Sequence, residues 1–255
     1  MSEDHILVER HEIAGKGAVQ IIRLNRPDKK NAITRAMYDA MAAALRAGDE
    51  DDDVRVHVFL GTPGAFSSGN DLQDFLAVAM GGDHGKDVFG FLVALATAKK
   101  PVVSGVDGLA IGIGTTIHLH CDLTLATPDS LFKTPFTDLA LVPEAASSLM
   151  APQIMGHQRA FALLGMGEGF SAQQALDAGL IWKVVAADTL ETEVMAAAEA
   201  LAAKPPKALQ LAKELVKGPR EPVLDRIKQE GELFLQQLKS DEAREAFMAF
   251  MARKK

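Results

Sequence analysis

The sequence has 255 residues, 48% of them hydrophobic and 24% charged, which is typical of one large globular domain or one domain with a helical appendage. Its net charge of −7 argues against a surface built mainly for nucleic acid, and its single cysteine, Cys121, excludes an internal disulfide. No apolar run is long enough to span a membrane, and the acidic start MSED is unlike a secretory or transit peptide, so we expect a cytoplasmic protein.

The first quarter of the chain predicts a hairpin, a helix and a buried strand. Residues 6–12 and 17–24 alternate apolar and polar side chains, as the two strands of a hairpin do. The loop NRPDKKN, residues 25–31, contains three basic residues, and without further context a solvated loop is favoured over a phosphate contact. Thr34 is a suitable N-cap for a following helix, and the apolar run 54–60 predicts a buried strand.

The stretch FSSGNDL, residues 66–72, follows that strand and the turn GTPG, and helical spacing follows it. Gly69 allows the backbone to approach a ligand closely, and Asp71 is a suitable helix cap. In one interpretation, the N–H of Asn70 points at an oxygen that becomes negative during a reaction. The other is an ordinary capped turn, which this stretch alone favours because strand–turn–helix corners are common.

The middle of the chain repeats the order of strand, glycine turn and helix. The segment GVDGLAIGIG, residues 105–114, is the second glycine turn. The predicted elements here are a glycine-rich loop at 79–86, a helix at 88–98, a strand at 101–106, a helix at 115–120, a strand at 121–126 and an extended segment at 131–133.

Helical signals dominate the rest of the chain, and they are the only signals after residue 188. We predict helices at 143–155, 157–166, 172–178, 189–203, 206–217, 223–238 and 240–253, with a last strand at 181–185. This change in pattern predicts a mixed α/β body followed by a helical C-terminal extension. The recurring strand–turn–helix order indicates a repeated supersecondary unit.

Several familiar motifs are absent. The glycines around Gly108 have the order G-x-x-x-G-x-G, which is not the dinucleotide-binding order, and no Walker A sequence occurs. The serines of AFSSG do not form a nucleophile elbow. His118 and His120 are two residues apart, so on a helix they face different directions, and we expect no metal site.

Glu144 follows a proline within an apolar stretch, LALVPEAA. One interpretation is a carboxylate stabilised by a helix N-terminus. The other is a general base whose pKa is tuned by burial. Spacing alone does not distinguish the two.

The two glycine turns, followed by a strand that begins Cys121-Asp122, resemble the enoyl-CoA hydratase/isomerase (crotonase) superfamily, and the resemblance covers nearly the whole chain. LNRPDKKNAIT resembles the family's CoA-contacting loop, KKPVVSGVDG its approach to the second glycine turn, and SAQQALDAGLIWKVV its penultimate segment. The resemblance implies an α/β fold with a crotonase-like ββα spiral core, residues 1–187, and a helical C-terminal trimerisation region, residues 188–255. It also implies a homotrimer or a dimer of trimers.

The resemblance further implies an acyl-CoA thioester substrate whose enolate is held between two backbone N–H groups, by position those of Asn70 and Ile113. Coenzyme A is then part of the substrate, and no separate cofactor is expected. The substrate-binding residues that the resemblance implies are Lys29, Lys30, Ala32, Ser68, Gly69, Asn70, Asp71, Leu72, Gly112, Thr116 and Phe136.

Departures from the family pattern point to the reaction. Enoyl-CoA hydratases carry two glutamates, and the corresponding positions here are Thr116 and Phe136, neither of which can activate water as a carboxylate does. TPFTDLALVPEAASSL and SSGNDLQDF instead resemble the monofunctional Δ3,Δ2-enoyl-CoA isomerases, in which the base corresponds to Glu144. We therefore expect Glu144 to remove a proton from C2 of a 3-enoyl-CoA and to return it to C4, giving trans-2-enoyl-CoA.

Other activities stay open at this point. A hydratase with unusual acid–base residues, or another crotonase-type lyase or hydrolase, is the first alternative, and rapid hydration of crotonyl-CoA would favour it. A non-catalytic acyl-CoA-binding or RNA-binding relative is the second. The acidic charge and the presence of Glu144, Gly69 and Gly112 argue against that second alternative.

Overall fold

The fold is described here from a computed structural model, over residues 4–71, 73–74 and 86–252. The strands are β1 (Ile6–Ile13), β2 (Gly17–Leu24), β3 (Val54–Leu60), β4 (Ala65–Ser67), β5 (Val102–Val106), β6 (Leu109–Ile111), β7 (Leu123–Ala126), β8 (Leu131–Lys133), β9 (Phe170–Ser171) and β10 (Lys183–Val184). The helices are α1 (Arg35–Glu50), α2 (Lys86–Thr97), α3 (Ile113–His120), α4 (Ser147–Met155), α5 (His157–Leu164), α6 (Ala172–Ala178), α7 (Leu190–Ala202), α8 (Pro206–Lys217), α9 (Glu221–Leu238) and α10 (Asp241–Ala252). None of the helices in these ranges has both the length and the apolarity that crossing a membrane requires.

The strands form two sheets. The larger sheet has the order β1-β2-β3-β5-β7-β10, and the smaller has the order β4-β6-β8-β9. β1 and β2 form the predicted antiparallel hairpin, with Ile13 opposite Gly17 at its turn. From β2 to β10, neighbouring strands of the larger sheet are parallel. The predicted α/β class is confirmed.

From β3 to β8, consecutive strands alternate between the two sheets. In each of the pairs β3–β4, β5–β6 and β7–β8, the first strand joins the larger sheet and the second joins the smaller. The recurring unit therefore contains a second strand that the sequence analysis assigned to the glycine turns. β4 and β6 have three residues each, which is too short for an alternating pattern to be recognised. This two-strand repeat agrees with the ββα spiral that the family resemblance implies.

Two hydrophobic cores lie on opposite faces of the larger sheet. Ile22 of β2 faces the main core, where it is joined by Phe59, Phe91 and Phe132. The neighbouring Ile21 faces the other core, which also contains residues of helix α7. Side chains alternate along a strand, so β2 is buried on both faces. Helix α7, which follows the predicted border at residue 187, covers one face of the larger sheet.

Helix α1 begins and packs as the sequence predicts. The side chain of Thr34 accepts a hydrogen bond from the N–H of Met37 and caps the helix. Met37, Met41 and Leu45 recur every four residues and are all buried in the main core. Capping and apolar spacing therefore both place this helix against the sheet.

The helix predicted from residue 143 begins only at Ser147, so that boundary was wrong. Ala145 and Ala146 have φ angles of +62° and +55°, which a right-handed helix cannot contain. The N–H groups of Ala146 and Ser148 donate to the carboxylate of Glu230, a residue of α9. Because this contact joins segments more than 80 residues apart, the local sequence pattern does not reveal it.

Other boundaries differ by smaller amounts or cannot be compared. Helix α3 begins at Ile113, two residues before its predicted start, and β10 is limited to Lys183–Val184. Gln73 and Asp74 are helical, but Leu72 and most of the predicted glycine loop at 79–86 lie outside the described residues.

Gly108 offers a test of how closely the spiral is packed. It has a φ angle of +71°, and a β-carbon at this position would lie 2.0 Å from the carbonyl oxygen of Gly64. We expect Gly108→Ala to lower the free energy of unfolding by about 3 kcal/mol or more, because a rigid backbone must move. Thermal and urea unfolding would measure the loss.

The matched control is Gly15→Ala at the hairpin turn, where φ is +71° and no atom lies within 4 Å of the added carbon. This control carries only the cost of the left-handed conformation, about 1–2 kcal/mol. Equal losses for the two variants would contradict the close backbone packing at Gly108.

Candidate active site

A cavity of about 300 Å³ lies between helices α1, α2 and α9 and reaches the first glycine turn. Its apolar wall consists of Val88, Leu92, Ile227, Phe234, Leu235 and Leu238. Its polar end contains Tyr38, Asn70, Asp71 and Glu144. A cavity with one apolar wall and a few convergent polar groups suits a ligand that has a long apolar part and a reactive polar part.

Glu144 is a buried carboxyl group, and within the described residues its side chain has one hydrogen bond to the protein. Only 6% of the residue is exposed. The hydroxyl of Thr116, on helix α3, donates to its Oε1 at 3.2 Å. Burial raises the pKa of Glu144 to about 8, the Thr116 hydrogen bond opposes this shift, and the charge of Glu230 adds to it. Glu144 can therefore both accept and return a proton near neutral pH.

Asn70 lies at the end of the first glycine turn, and its backbone N–H points away from the neighbouring segment around Ile33. Residue 70 forms a parallel bridge with Ile33, in which the N–H of Ile33 donates to the carbonyl of Gly69 and the N–H of Asp71 donates to the carbonyl of Ile33. In this pairing the N–H of Asn70 itself points to the opposite side. It is thus available to a ligand.

The second glycine turn ends at the start of helix α3, and Ile113 is the first helical residue. The first amides of a helix have no acceptor within the helix. The N–H of Gly112 is already used, because it donates to the carbonyl of Lys133 at 2.8 Å. The amide of Ile113 is therefore the second candidate for an anion-stabilising group.

The two glycine turns touch each other. A β-carbon at Gly69 would lie 3.0 Å from the carbonyl oxygen of Ile111. A β-carbon at Gly114 would lie 2.9 Å from the carbonyl oxygen of Ser67. Close packing of the two backbones brings the segments of Asn70 and Ile113 together.

The basic N-terminal loop lies along the first glycine turn. The N–H of Ser68 donates to the carbonyl of Lys30 at 2.9 Å, and its hydroxyl donates to the carbonyl of Lys29 at 3.2 Å. Arg26 binds the carboxylate of Asp71 at 2.6 Å and so ties the loop to the end of the turn. The structure thus brings the predicted residues of both segments together, and the side chains of Lys29 and Lys30 are exposed beside the turn.

The remaining predicted site residues have different surroundings. Ala32 is half-buried in the same loop, and its carbonyl accepts a hydrogen bond from Arg26. Thr116 is buried and contacts Glu144, whereas Phe136 is buried in the main core. Leu72 lies outside the described residues.

Three residues that the sequence analysis did not single out as site residues support the polar end. Tyr38, the only tyrosine of the chain, is buried and donates from its hydroxyl to Oδ1 of Asn70 at 2.5 Å. His120 and Glu230 contact the backbone that follows Glu144. In the sequence Tyr38 looks like one more core residue of α1, and Glu230 looks like an ordinary charge on an amphipathic helix. Only tertiary contacts reveal these roles.

The two histidines of α3 have separate surroundings. Nδ1 of His118 lies 3.0 Å from the hydroxyl of Ser104, and Nε2 of His120 lies 2.7 Å from the carbonyl oxygen of Ala145. Burial lowers the pKa of His118 to about 3 and that of His120 to about 4, so both rings are neutral at pH 7. In the part of the chain that the structure describes, no three His, Cys, Asp or Glu side chains cluster as a metal site would require.

Comparison with known proteins finds a matching family model and similar proteins. A family model described as "Enoyl-CoA hydratase/isomerase" matches residues 14–255. Enoyl-CoA delta isomerase 2 of Rattus norvegicus is 34% identical over 95% of this chain, which spans 63% of that relative's length. A probable enoyl-CoA hydratase of Rhizobium meliloti is 31% identical over 100% of this chain and 98% of its own. The crystal structure of an enoyl-CoA hydratase/isomerase from Pseudoalteromonas atlantica superposes with a TM-score of 0.91, at 35% identity and 98% coverage of both chains.

The raised pKa of Glu144 predicts a pH-dependent cost in stability. Between pH 4.5 and about 8 the folded protein retains a proton that the unfolded chain has released, so this group makes folding less favourable as the pH rises. Glu144→Gln keeps the size of the side chain and has no charge to bury. We expect its melting temperature to match that of the wild type at pH 5 and to exceed it by about 5 °C at pH 9.

Differential scanning calorimetry at several pH values measures this difference. A gap between the two proteins that stays constant from pH 5 to pH 9 would contradict a protonated, buried Glu144.

Proposed function

Because the chain belongs to the enoyl-CoA hydratase/isomerase family, we propose that it converts 3-enoyl-CoA to trans-2-enoyl-CoA with Glu144 as the only acid–base residue. The main support for this proposal is the hydrogen bond from the hydroxyl of Thr116 to the carboxyl group of Glu144. The position at which hydratases carry one of their two glutamates holds a neutral hydroxyl, and it lies directly beside the buried base. Of the four carboxyl groups that line the cavity in the described residues, those of Asp71, Asp74, Glu144 and Glu232, Glu144 is the buried one. One buried carboxyl group beside a neutral hydroxyl suits a proton shift better than the addition of water.

In the proposed reaction the thioester carbonyl oxygen accepts hydrogen bonds from the N–H groups of Asn70 and Ile113. The ionised Glu144 takes a proton from C2, and the electrons of that C–H bond move toward the carbonyl oxygen, which becomes an enolate. Donors fixed in the backbone stabilise this charge without rearrangement, and one such donor is typically worth about 10²–10³ in rate. Protonated Glu144 then delivers the proton to C4, and the double bond comes to lie between C2 and C3.

The surroundings of Glu144 support this exchange. A carboxyl group with a pKa of about 8 is a stronger base than an ordinary glutamate, and it holds its proton long enough to return it. The apolar wall formed by residues such as Phe234 and Leu235 keeps bulk water from the enolate. Hydration of the product is disfavoured because no second carboxylate stands where Thr116 stands.

Coenzyme A also needs cationic contacts. Lys29 and Lys30 are exposed on the loop that binds the turn around Ser68, and they are our candidates for phosphate groups of the substrate. No cofactor beyond the CoA of the substrate enters this proposal.

A trimer is the assembly that we propose. Leu215 and Val216 on helix α8 are 83% and 87% exposed, and Leu211 on the same helix is 47% exposed. Such a concentration of apolar side chains on one helix suits an interface between subunits. A homotrimer or a dimer of trimers would cover this surface.

Hydration is the second candidate, because the Rhizobium meliloti relative that this chain matches over its full length is named a probable enoyl-CoA hydratase. It requires a group other than Thr116 and Phe136 to hold the attacking water. Crotonyl-CoA distinguishes the two reactions, since an isomerase without hydratase activity leaves its absorbance unchanged.

The central prediction concerns Glu144→Gln. We expect the wild type to increase the absorbance of the conjugated thioester when it is given 3-hexenoyl-CoA, and to leave crotonyl-CoA unchanged. Glu144→Gln should reduce kcat by about 10³-fold, the scale of general acid–base catalysis. Glu168→Gln, an exposed substitution of the same kind, is the control and should behave as the wild type.

Full isomerase activity in Glu144→Gln would refute the assignment of the base. Rapid loss of crotonyl-CoA with the wild type would favour the hydratase.

A second prediction tests the basic loop. Replacing both Lys29 and Lys30 with Gln should raise the KM for 3-hexenoyl-CoA about tenfold at low salt, with a smaller effect at high salt, because exposed charge interactions are screened. The control variant is Lys16→Gln at the hairpin turn, which should have no effect.

A control substrate, the 3-hexenoyl thioester of pantetheine, lacks the nucleotide phosphates. The double variant and the wild type should use this substrate equally well. An equal increase in KM for both substrates would show that the loop does not contact phosphate.

A further inference from the structure

Glu230 is a buried carboxylate on helix α9 that binds the backbone just after Glu144. Its residue is 4% exposed. Oε2 accepts the N–H of Ala146 at 2.6 Å, and Oε1 accepts both the N–H and the hydroxyl of Ser148, at 3.0 and 2.5 Å. Three donors from one short segment thus converge on a single side chain from a distant part of the chain.

The segment that Glu230 binds has an unusual backbone. Ala145 and Ala146 both have positive φ angles, a conformation that residues with a β-carbon avoid. Such a conformation persists only where the surrounding structure imposes it, and it occurs often at functional sites. The hydrogen bonds to Glu230 are one such constraint.

His120 supplies a constraint from the opposite side. Its Nε2 lies 2.7 Å from the carbonyl oxygen of Ala145, and because burial keeps the ring neutral, Nε2 carries the proton and donates it. His120 lies on α3, the helix that also supplies Thr116 to Glu144. The segment after Glu144 is therefore held between α3 and α9.

Arg226 completes the contacts on the α9 side. Its Nη1 donates to the hydroxyl of Ser148 at 2.9 Å, and that hydroxyl donates to Glu230. Charge-assisted hydrogen bonds of this kind are short and directional, so the carboxylate is fixed as well as the segment it binds.

We propose that Glu230 is a positioning residue, which holds the backbone of residues 144–148 in its left-handed conformation and thereby aims the Glu144 carboxyl group at the reacting carbons. The inference rests on the proposed function, because it assigns Glu230 a role in the reaction of Glu144. Glu230 does not touch the substrate and acts only through the segment that it binds.

The charge of Glu230 also affects the pKa of Glu144, so the role of Glu230 can be followed in the pH profile as well as in the rate. A negative charge near Glu144 disfavours ionisation of that carboxyl group. The other charged or titratable groups that line the cavity or contact the segment after Glu144, in the described residues, are Arg35, Tyr38, Asp71, Asp74, Lys86, His120, Arg226, Lys228 and Glu232. They are the same in every variant below, so a change in the titration of Glu144 reports on Glu230.

Glu230→Gln is the first test. The amide has the same shape, but its NH₂ group would face an N–H donor, so at least one of the bonds to residues 146 and 148 is lost in either orientation. We expect kcat for 3-hexenoyl-CoA to fall about 10²-fold, the scale of a small misplacement of a catalytic group, while KM changes less than about threefold. The rise of kcat/KM with pH, centred near 8 in the wild type, should move to lower pH because a negative charge is gone.

Glu230→Asp separates position from charge. It keeps the carboxylate but is one methylene shorter, so kcat should fall while the midpoint of the pH profile stays near that of the wild type. The matched control is Glu221→Gln in the exposed first turn of the same helix, which should change neither quantity. In a Glu144→Gln background, Glu230→Gln should cause no additional loss of activity, because the group that it positions is already absent.

Calorimetric binding of hexanoyl-CoA, which has no double bond to move, reports whether each variant keeps its folded cavity. If Glu230→Gln does not accumulate as folded protein, Glu230→Asp carries the kinetic test. A folded Glu230 variant with unchanged kcat and an unchanged pH profile overturns the inference, and so does a loss confined to KM.

Failure of the proposed function has a different appearance. In that case the wild type itself does not isomerise 3-hexenoyl-CoA. The positioning role rests on that reaction and falls with it, whereas an active wild type and a folded Glu230 variant with unchanged kcat overturn the positioning role alone.

Discussion

The contact between the two glycine turns is the constraint on which the polar end of the cavity depends. The backbone at Gly69 lies so close to Ile111 that an added β-carbon would be only 3.0 Å from its carbonyl oxygen, which is tighter than an ordinary contact. This contact fixes the segments of Asn70 and Ile113 relative to each other through main-chain atoms alone. Amides that belong to a strand bridge and to a helix N-terminus cannot reorient easily, so the pair of donors in the proposed reaction would be rigid before any ligand arrives.

The carboxyl group of Glu144, which lines the same cavity as Asn70, is arranged differently, because it depends on side chains and on distant segments. Glu144 is buried beside Thr116, and the backbone after it is held by Glu230 and His120. Burial raises the pKa of this carboxyl group and also makes its ionised form costly to the fold. The left-handed alanines after Glu144 add a further cost. Local sacrifices of stability of this kind are common where a protein arranges reactive groups.

Much of this structure could be predicted from local pattern and family resemblance. The hairpin, helix α1 and the capped helix α6 follow from alternation, spacing and capping residues such as Thr34 and Ser171. The glycine turns and Glu144 were identified by their resemblance to a family. The strands β4 and β6 were missed because three residues show no period, and the start of α4 was misplaced because Glu230 competes with the helix for its first amides. Contacts between distant residues leave no local signal.

Helix α9 has two tasks that are usually assigned to separate elements. One side of it, with Ile227 and Leu235, forms part of the apolar cavity wall, and Glu230 on the same helix holds the segment after Glu144. A helix moves as a rigid rod, so a displacement at the wall is transmitted to the carboxylate. In the proposed reaction, an acyl chain of the wrong shape that displaces helix α9 also disturbs the position of Glu144. The enzyme would then discriminate among chains by how fast it turns them over, even when it binds them equally well.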